Sequence, residues 1–124
     1  MKKVYTKDGN PPLGHYSQAI VHNGLVYVST QLGRDRETGS VGPVEEQTEN
    51  ILDSIEAILV EAGSSFSNVL RATIYLSDIT NWDAVNQIYT RRFGEHRPAR
   101  GVIPVGTLHG GCEVAMDVVA AVAN

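Results

Sequence analysis

QAIVHNGLVYVSTQ, residues 18–31, is the stretch that decides the fold. On both sides of Asn23-Gly24 most residues are β-branched, aromatic or otherwise apolar, which is typical of strands. Asn-Gly is the dipeptide that a two-residue type I′ turn prefers, because both turn positions need a positive φ. The stretch therefore predicts a β-hairpin with strands at Gln18–His22 and Leu25–Gln31.

The segments around this hairpin have the composition of loops. Upstream, Val4-Tyr5 predicts a short edge strand, and Asp8–Pro12 predicts a loop because its adjacent prolines lack donors and fix the backbone. Downstream, Arg34–Pro43 combines glycines with a proline and predicts a connection.

Two amphipathic helices are expected beyond this loop. Val44–Ala62 carries acidic residues in its first turn and ends before Gly63, and its apolar residues recur at helical spacing: Ile51, Ile55, Ile58, Leu59 and Ala62. The second helix is predicted to begin at Thr80, with Asp83 completing a capping box, and to end at Gly94.

Three further strands complete the pattern. Val69–Leu76 alternates, with Leu70, Ala72, Ile74 and Leu76 expected on one face. Gly101–Thr107 and Cys112–Val122 flank a turn at residues 108–111. The order β-β-β-α-β-α-β-β predicts a two-layer α+β fold, with two helices on one face of a mixed sheet. The strands that begin at Leu25 and at Gly101 are apolar on both sides, so the sheet face without helices would expose apolar side chains to water. A homo-oligomer that buries this face is therefore expected.

Composition narrows the function classes. The 124 residues predict a single domain over 1–124, and 42% of them are hydrophobic. A net charge of −4 without a basic run argues against nucleic acid or an anionic membrane as a partner. The N-terminus lacks an apolar signal segment, and no stretch is long enough to span a membrane. The one cysteine, Cys112, excludes an intramolecular disulfide and suggests a reducing, cytoplasmic location.

Arg100 is the strongest candidate for a binding residue. It follows Pro98-Ala99 at the mouth of a predicted strand, where its fork of donors could hold the carboxylate of a small organic acid. A solvated surface arginine is the alternative. The four histidines lie too far apart in sequence for a zinc site, so no metal is expected, although His109 leaves a local proton-transfer role open.

Taken together, the motifs resemble those of the RidA/YjgF family of reactive-intermediate deaminases over nearly the whole chain. The matching blocks, in order, are Gly14–Ala19, Val28–Gln31, Asn86-x-x-Tyr89-x-x-x-Phe93, Pro98-Ala99-Arg100, and Leu108 leading into Glu113–Asp117.

The resemblance implies a chorismate-mutase-like fold that assembles as a homotrimer around a central barrel, with sites between subunits. In the active branch such sites hydrolyse enamines and imines of small 2-amino acids to the 2-keto acid and ammonia without a cofactor. Carried onto this chain, Arg100 would clamp the substrate carboxylate. The backbone at Val102 would hydrogen-bond the nitrogen or carbonyl end of the substrate. The remaining implied substrate-binding residues are Tyr16, Ser29, Thr30 and Asn86.

The departures from the family pattern matter as much. His15, Thr30 and His109 replace a proline, a glycine and a proline, and Ala115 stands where deaminases have the glutamate that would hold the water. Strand alternation predicts that Glu113 and Asp117 share the face of Ala115, so either acid could act as the catalytic acid/base, or the site has lost its base.

Two hypotheses therefore stay open. The first is an enamine/imine deaminase with a relocated acid/base or a different substrate, which the persistence of Arg100, Tyr16 and Ser29 favours. The second is a non-catalytic trimeric module that binds small carboxylates or protein partners, which Ala115 favours. Endoribonuclease activity, a third role within the family, finds little support in an acidic chain without a basic stripe.

Overall fold

The computed structural model describes residues 1–122. Its elements are β1 (Lys2–Val4), β2 (Ala19–His22), β3 (Leu25–Leu32), α1 (Val44–Glu61), β4 (Val69–Leu76), α2 (Trp82–Phe93), β5 (Ala99–Pro104) and β6 (Val114–Ala121). The six strands form one sheet in the order β1-β2-β3-β6-β4-β5, and among them only the β4–β5 pair is parallel. The expected β-β-β-α-β-α-β-β order and the α+β class are confirmed.

The hairpin forms at the predicted turn. Asn23 and Gly24 both have positive φ, 52° and 79°, and the strands pair from His22 opposite Leu25. The first strand lies earlier than expected, at Lys2–Val4, and the side chain of Tyr5 is exposed. Val4 is the residue of β1 that is buried in the core, where it pairs with Ala19 of β2. The pairing continues from Val4 toward the N-terminus as far as Lys2.

Helix α1 buries the face that its sequence predicted. Ile51, Leu52, Ile55, Ile58 and Leu59 are all fully inaccessible to solvent, and each such side chain contributes about 1.5–3 kcal/mol of transfer free energy. The helix ends just before Gly63, whose φ of 83° is the left-handed conformation that glycine tolerates.

Helix α2 begins later than predicted. A 3₁₀ turn at Ile79–Asn81 precedes it, and the first residue of α2 is Trp82. The cap is Asp78, whose carboxylate accepts from the Thr80 backbone N–H at 2.9 Å and from the Thr80 hydroxyl at 2.7 Å. The capping box of Thr80 and Asp83 does not form, because the Thr80 hydroxyl is already committed to a stronger, charged acceptor.

Strand β4 departs from simple alternation at its start. A register shift lies between Val69 and Arg71, and Val69 is fully buried whereas half of Leu70 is exposed. The expectation that Leu70 shares the core face is therefore wrong, because a bulge turns the chain by one residue before the regular pattern resumes at Ala72.

Both helices cover one face of the sheet, and a single core joins them to it. β5 covers Ala99–Pro104 instead of residues 101–107, and β6 begins at Val114 instead of Cys112. The opposite face carries Thr30, Tyr75 and Asp117 together with exposed Tyr27 and Ile103. Within residues 1–122 no element packs over this open face. Neither α1 nor α2 has an apolar run long enough to cross a bilayer.

Candidate functional site

Arg100 lies on edge strand β5 and is held by helix α2. Its Nη1 donates to Asn86 Oδ1 at 2.8 Å. Its guanidinium carbon lies 4.9 Å from the ring centre of Tyr89 and 5.6 Å from that of Trp82, both within cation–π range. Among the described residues no carboxylate lies within 4 Å of Arg100. The arginine is thus oriented by neutral groups and keeps donors for an anion.

A buried tyrosine hydroxyl lies beside Arg100. The Tyr89 hydroxyl is buried and has no hydrogen-bond partner among the described residues. Burial raises the pKa of Tyr89, and the charge of Arg100 opposes that rise. Val102 follows two residues along β5, whose outer edge has no neighbouring strand, so backbone groups remain available there.

A bulge in strand β3 shapes the second part of the site. Val28 pairs with Val118 and Gln31 pairs with Met116, so Ser29 and Thr30 together face a single residue, Asp117. Two residues opposite one is the definition of a bulge, and it turns Thr30 toward the open face. The Thr30 hydroxyl donates to Asp117 Oδ2 at 2.8 Å.

Buried polar side chains fix the bulge from the helix side. Ser54 of α1 donates to Gln31 Oε1 at 2.8 Å, and Gln31 Nε2 donates to the Ser29 carbonyl at 2.8 Å. Ser54 Oγ also accepts from the Asn10 backbone N–H at 2.7 Å. The side-chain amide of Asn10 in turn donates to the Leu32 backbone carbonyl. The network is neutral and its central members, Gln31 and Ser54, are buried, so it sets the geometry of the bulge without introducing charge.

Tyr75 is a site residue that the sequence analysis missed. It lies on β4, where it pairs with Ala115, and its hydroxyl lies near the Asp117 carboxylate. Burial and the neighbouring Asp117 carboxylate both raise the pKa of Tyr75. Alternation along β4 predicts the face of Tyr75, but its diagonal position beside Asp117 depends on the register between β4 and β6, and the two residues are 42 positions apart in the sequence.

An open concavity of about 660 Å³ lies on this face. Ala115 lies at its base between Leu32 and Tyr75, its partners on the two neighbouring strands, and these larger side chains shield it from water. The residues around the concavity are Tyr16, Ser29, Thr30, Leu32, Tyr75, Leu108, His109 and Ala115. The concavity is large enough to admit a small organic acid.

Glu113 does not share this face. It precedes β6, its backbone N–H donates to Gln47 Oε1 at 2.8 Å, and its carboxylate lies 3.5 Å from Gln47 Nε2. Gln47 belongs to α1 and is buried. Strand alternation therefore places Asp117, but not Glu113, beside Ala115, because the regular strand begins only at Val114.

The two parts of the site are not adjacent within one chain. Arg100 pairs with Ala72 and so lies on the helix-covered face, whereas Thr30 and Asp117 lie on the open face. Three strand spacings separate β5 from β3, about 14 Å at the usual inter-strand distance. Within residues 1–122 no cluster of three or more His, Cys, Asp or Glu side chains could hold a metal ion.

Comparisons with known proteins agree with this architecture. A family model described as Endoribonuclease L-PSP matches residues 7–122. The 2-iminobutanoate/2-iminopropanoate deaminase of Capra hircus is 38% identical over 119 residues, covering 94% of this chain and 87% of that protein. A RutC family protein of Pyrococcus abyssi is 36% identical and covers 94% of both chains. The crystal structure of RidA from a Psychrobacter species superposes with a TM-score of 0.95 at 28% identity, covering 98% of this chain and 100% of that one.

Proposed function

The chain belongs to the Endoribonuclease L-PSP (RidA/YjgF) family, and from this premise we propose that it is a cofactor-independent deaminase of small 2-imino and 2-enamino acids. The observation that carries the proposal is Arg100, an arginine that is oriented by Asn86 and two aromatic rings and has no carboxylate partner among residues 1–122. Such a fork is suited to a substrate carboxylate in two parallel hydrogen bonds.

The reaction needs few groups from the protein. Water adds to the imine carbon, and one of its protons passes to nitrogen. The carbon–nitrogen bond of this adduct then breaks as the second proton moves from oxygen to nitrogen, so that a 2-oxo acid and ammonia leave. Holding the carboxylate at Arg100 and bonding the nitrogen or carbonyl end through the backbone at Val102 would orient the electrophile. Tyr16, Ser29 and Thr30 would bind the remainder of the substrate.

We place the complete site between subunits of a homotrimer. The separation of Arg100 from Thr30 within one chain supports this, because a second copy could bring its own open face against the edge that carries Arg100. The exposed apolar residues Tyr27 and Ile103 would be covered by the same contact. A stable monomer at micromolar concentration in analytical ultracentrifugation would contradict the inter-subunit site.

Proton transfer requires an acid/base group beside the reacting carbon. Of the two acids expected to act, Asp117 lies on the open face near Ala115, where the Thr30 hydroxyl donates to it and the Tyr75 hydroxyl lies nearby. Glu113 would reach this face only if the turn at Gly110-Gly111 were reshaped. We therefore assign the acid/base role to Asp117 first and keep Glu113 as the second candidate.

Ala115 favours a second function. Without a carboxylate at this position the same cleft could bind small carboxylates, or support contacts with protein partners, without turning substrate over. The family description also names an RNA-cleaving activity, but a net charge of −4 offers little to a phosphate backbone. A cytoplasmic location, expected from the single buried cysteine, is retained as part of the proposal.

The decisive experiment is hydrolysis of freshly generated 2-aminoacrylate and 2-iminobutanoate by the purified protein, followed as 2-oxo acid formed. We expect an accelerated release that Asp117→Asn abolishes while the variant keeps its oligomeric state. Wild-type protein that binds 2-oxobutanoate but does not accelerate hydrolysis would support the binding module instead.

A further inference from the structure

Arg34 is a half-buried cation whose neighbours leave it without a countercharge. Within residues 1–122 no carboxylate oxygen lies within 4 Å of its guanidinium, and its Nε is buried without an acceptor. Arg36, two residues on, is paired with Asp8 at 3.5 Å and with Glu37 at 3.7 Å. The carboxylate of Asp35, between the two arginines, accepts from backbone N–H groups of the following turn. Of the two arginines, only Arg34 is left for an external anion.

The protein partner of Arg34 is a neutral ring. Arg34 Nη2 lies 3.1 Å from His109 Nδ1. A guanidinium can only donate, so Nδ1 must accept, and the hydrogen bond assigns the imidazole proton to Nε2. The pair therefore presents guanidinium N–H groups and an imidazole N–H, all of them donors.

Gly110 allows this pair to form. A Cβ at this position would lie 1.8 Å from Arg34 Nη2 and 2.6 Å from its Cζ, and the φ of Gly110 is 69°. The guanidinium thus packs directly on the backbone of the turn that precedes β6. A side chain at position 110 would displace it and strain the turn.

The pair lies between two concavities of the open face. Arg34 lines one of them and His109 lines the other, and both concavities share Tyr16, Thr30 and Leu32. The concavity that His109 lines has Ala115 at its base, and a residue longer than alanine at position 115 would fill part of it. Asp35 lines the same concavity as Arg34 and accepts from two backbone N–H groups, and Asp117 on the open face accepts from the Thr30 hydroxyl. The charge of each carboxylate is therefore partly offset by hydrogen bonds within the protein.

We propose that Arg34 and His109 form a second carboxylate-binding point, so that the preferred ligands are 2-imino acids, and their 2-oxo products, that carry a second carboxylate. This inference rests on the proposed function, in which Arg100 holds the first carboxylate. A donor-only pair without countercharge binds an anionic acceptor better than a neutral chain end, and a carboxylate matches the guanidinium fork.

Two 2-oxo acids of equal chain length test the inference by isothermal titration calorimetry at fixed ionic strength. 2-Oxopentanedioate has the second carboxylate, and 2-oxopentanoate lacks it. We expect the wild type to prefer the diacid by roughly 10- to 100-fold, as for a charge-assisted hydrogen bond. Arg34→Met and Gly110→Ala should each remove this preference and leave the affinity for 2-oxopentanoate unchanged. Arg36→Met is the matched control and should change neither affinity.

The variants at position 109 separate donation from bulk. His109→Asn keeps an acceptor for Arg34 and a donor for the ligand, so it should retain most of the preference, whereas His109→Phe should lose it. Equal affinity of the wild type for the two acids would overturn the second binding point and leave the proposed function standing. Loss of affinity for both acids in Arg34→Met, with an unchanged circular dichroism spectrum, would also overturn it. The Arg100→Lys variant should weaken both acids alike, so its failure would bear on the proposed function alone.

Discussion

Replacing Arg100 by lysine keeps the charge and removes the planar fork. In the wild type Nη1 is bonded to Asn86 Oδ1 at 2.8 Å, and the rings of Tyr89 and Trp82 flank the guanidinium. A lysine ammonium is a point charge that cannot bond Asn86 and grip a carboxylate in two parallel hydrogen bonds at once. The loss for a bound carboxylate should equal that of one charge-assisted hydrogen bond, about 1–3 kcal/mol, or about 5- to 150-fold in Kd.

The assay is calorimetric titration of 2-oxobutanoate into the wild type and Arg100→Lys. Arg97→Lys is the matched control, because Arg97 is an exposed arginine three residues earlier in the same segment. A urea unfolding curve of each variant separates lost binding from lost stability. Equal Kd values for Arg100→Lys and the wild type would refute the reasoning, since the carboxylate anchor would then lie elsewhere.

Three further outcomes are expected. Ala115→Glu should raise the rate of 2-aminoacrylate hydrolysis by about 10²- to 10⁴-fold if the wild type lacks a base, and an inactive wild type that this change fails to rescue would favour the binding module. Ser54→Ala should lower the free energy of unfolding in urea by about 1–3 kcal/mol, because it leaves the buried Gln31 Oε1 and the part-buried Asn10 backbone N–H without their partner; Ser67→Ala, at an exposed serine, should change it little. Burial opposes ionisation of Glu49, but hydrogen bonds from Arg92 and its neighbour outweigh it and hold the pKa of Glu49 below its ordinary value. The stability that this depressed pKa contributes is present above the unfolded-state pKa and is lost as the pH falls through the folded one, so the unfolding free energies of Glu49→Gln and the wild type should converge in acid.

The sequence could predict those elements whose signal is local. Asn23-Gly24 specifies its own turn, the apolar spacing of residues 51–59 specifies a helical face, and Gly63 and Gly94 mark helix ends with positive φ. In each case the residues that carry the signal also form the structure. These parts of the fold were accordingly predicted to within a residue or two.

Features that depend on a partner strand could not be read in the same way. The bulge that buries Val69 and exposes Leu70 exists only opposite β6. The position of Glu113 also depends on a distant element. Its backbone N–H donates to Gln47 of α1, so Glu113 lies outside β6 and does not share the face of Ala115 as strand alternation predicted. The cap at Asp78 was missed for a different reason, since two capping side chains compete within three residues and the charged one prevails.

The sequence predicted which residues belong to the candidate site, but not how they are arranged in the sheet. The position of Arg100 at a strand end and the family resemblance of Asn86 predicted two site residues, and the structure joins them directly. It also separates both from Thr30, because their strands lie at different positions in the sheet and the side chains emerge on opposite faces. The pairing of Arg34 with His109, 75 residues away, carried no signal in the sequence, since it depends on the space that Gly110 leaves for the guanidinium.

The position of β6 has a consequence for the order in which the protein can form. This strand follows the other five in sequence, yet it lies between β3 and β4 and makes the most extensive pairing in the sheet. During synthesis the hairpin and α1 emerge first, but they have no sheet centre to pack around until residues 114–121 leave the ribosome. Such non-local pairing slows folding, and the apolar edges of β3 and β4 stay open meanwhile. A nascent chain halted before Val114 is therefore expected to be protease-sensitive and a ready client for chaperones.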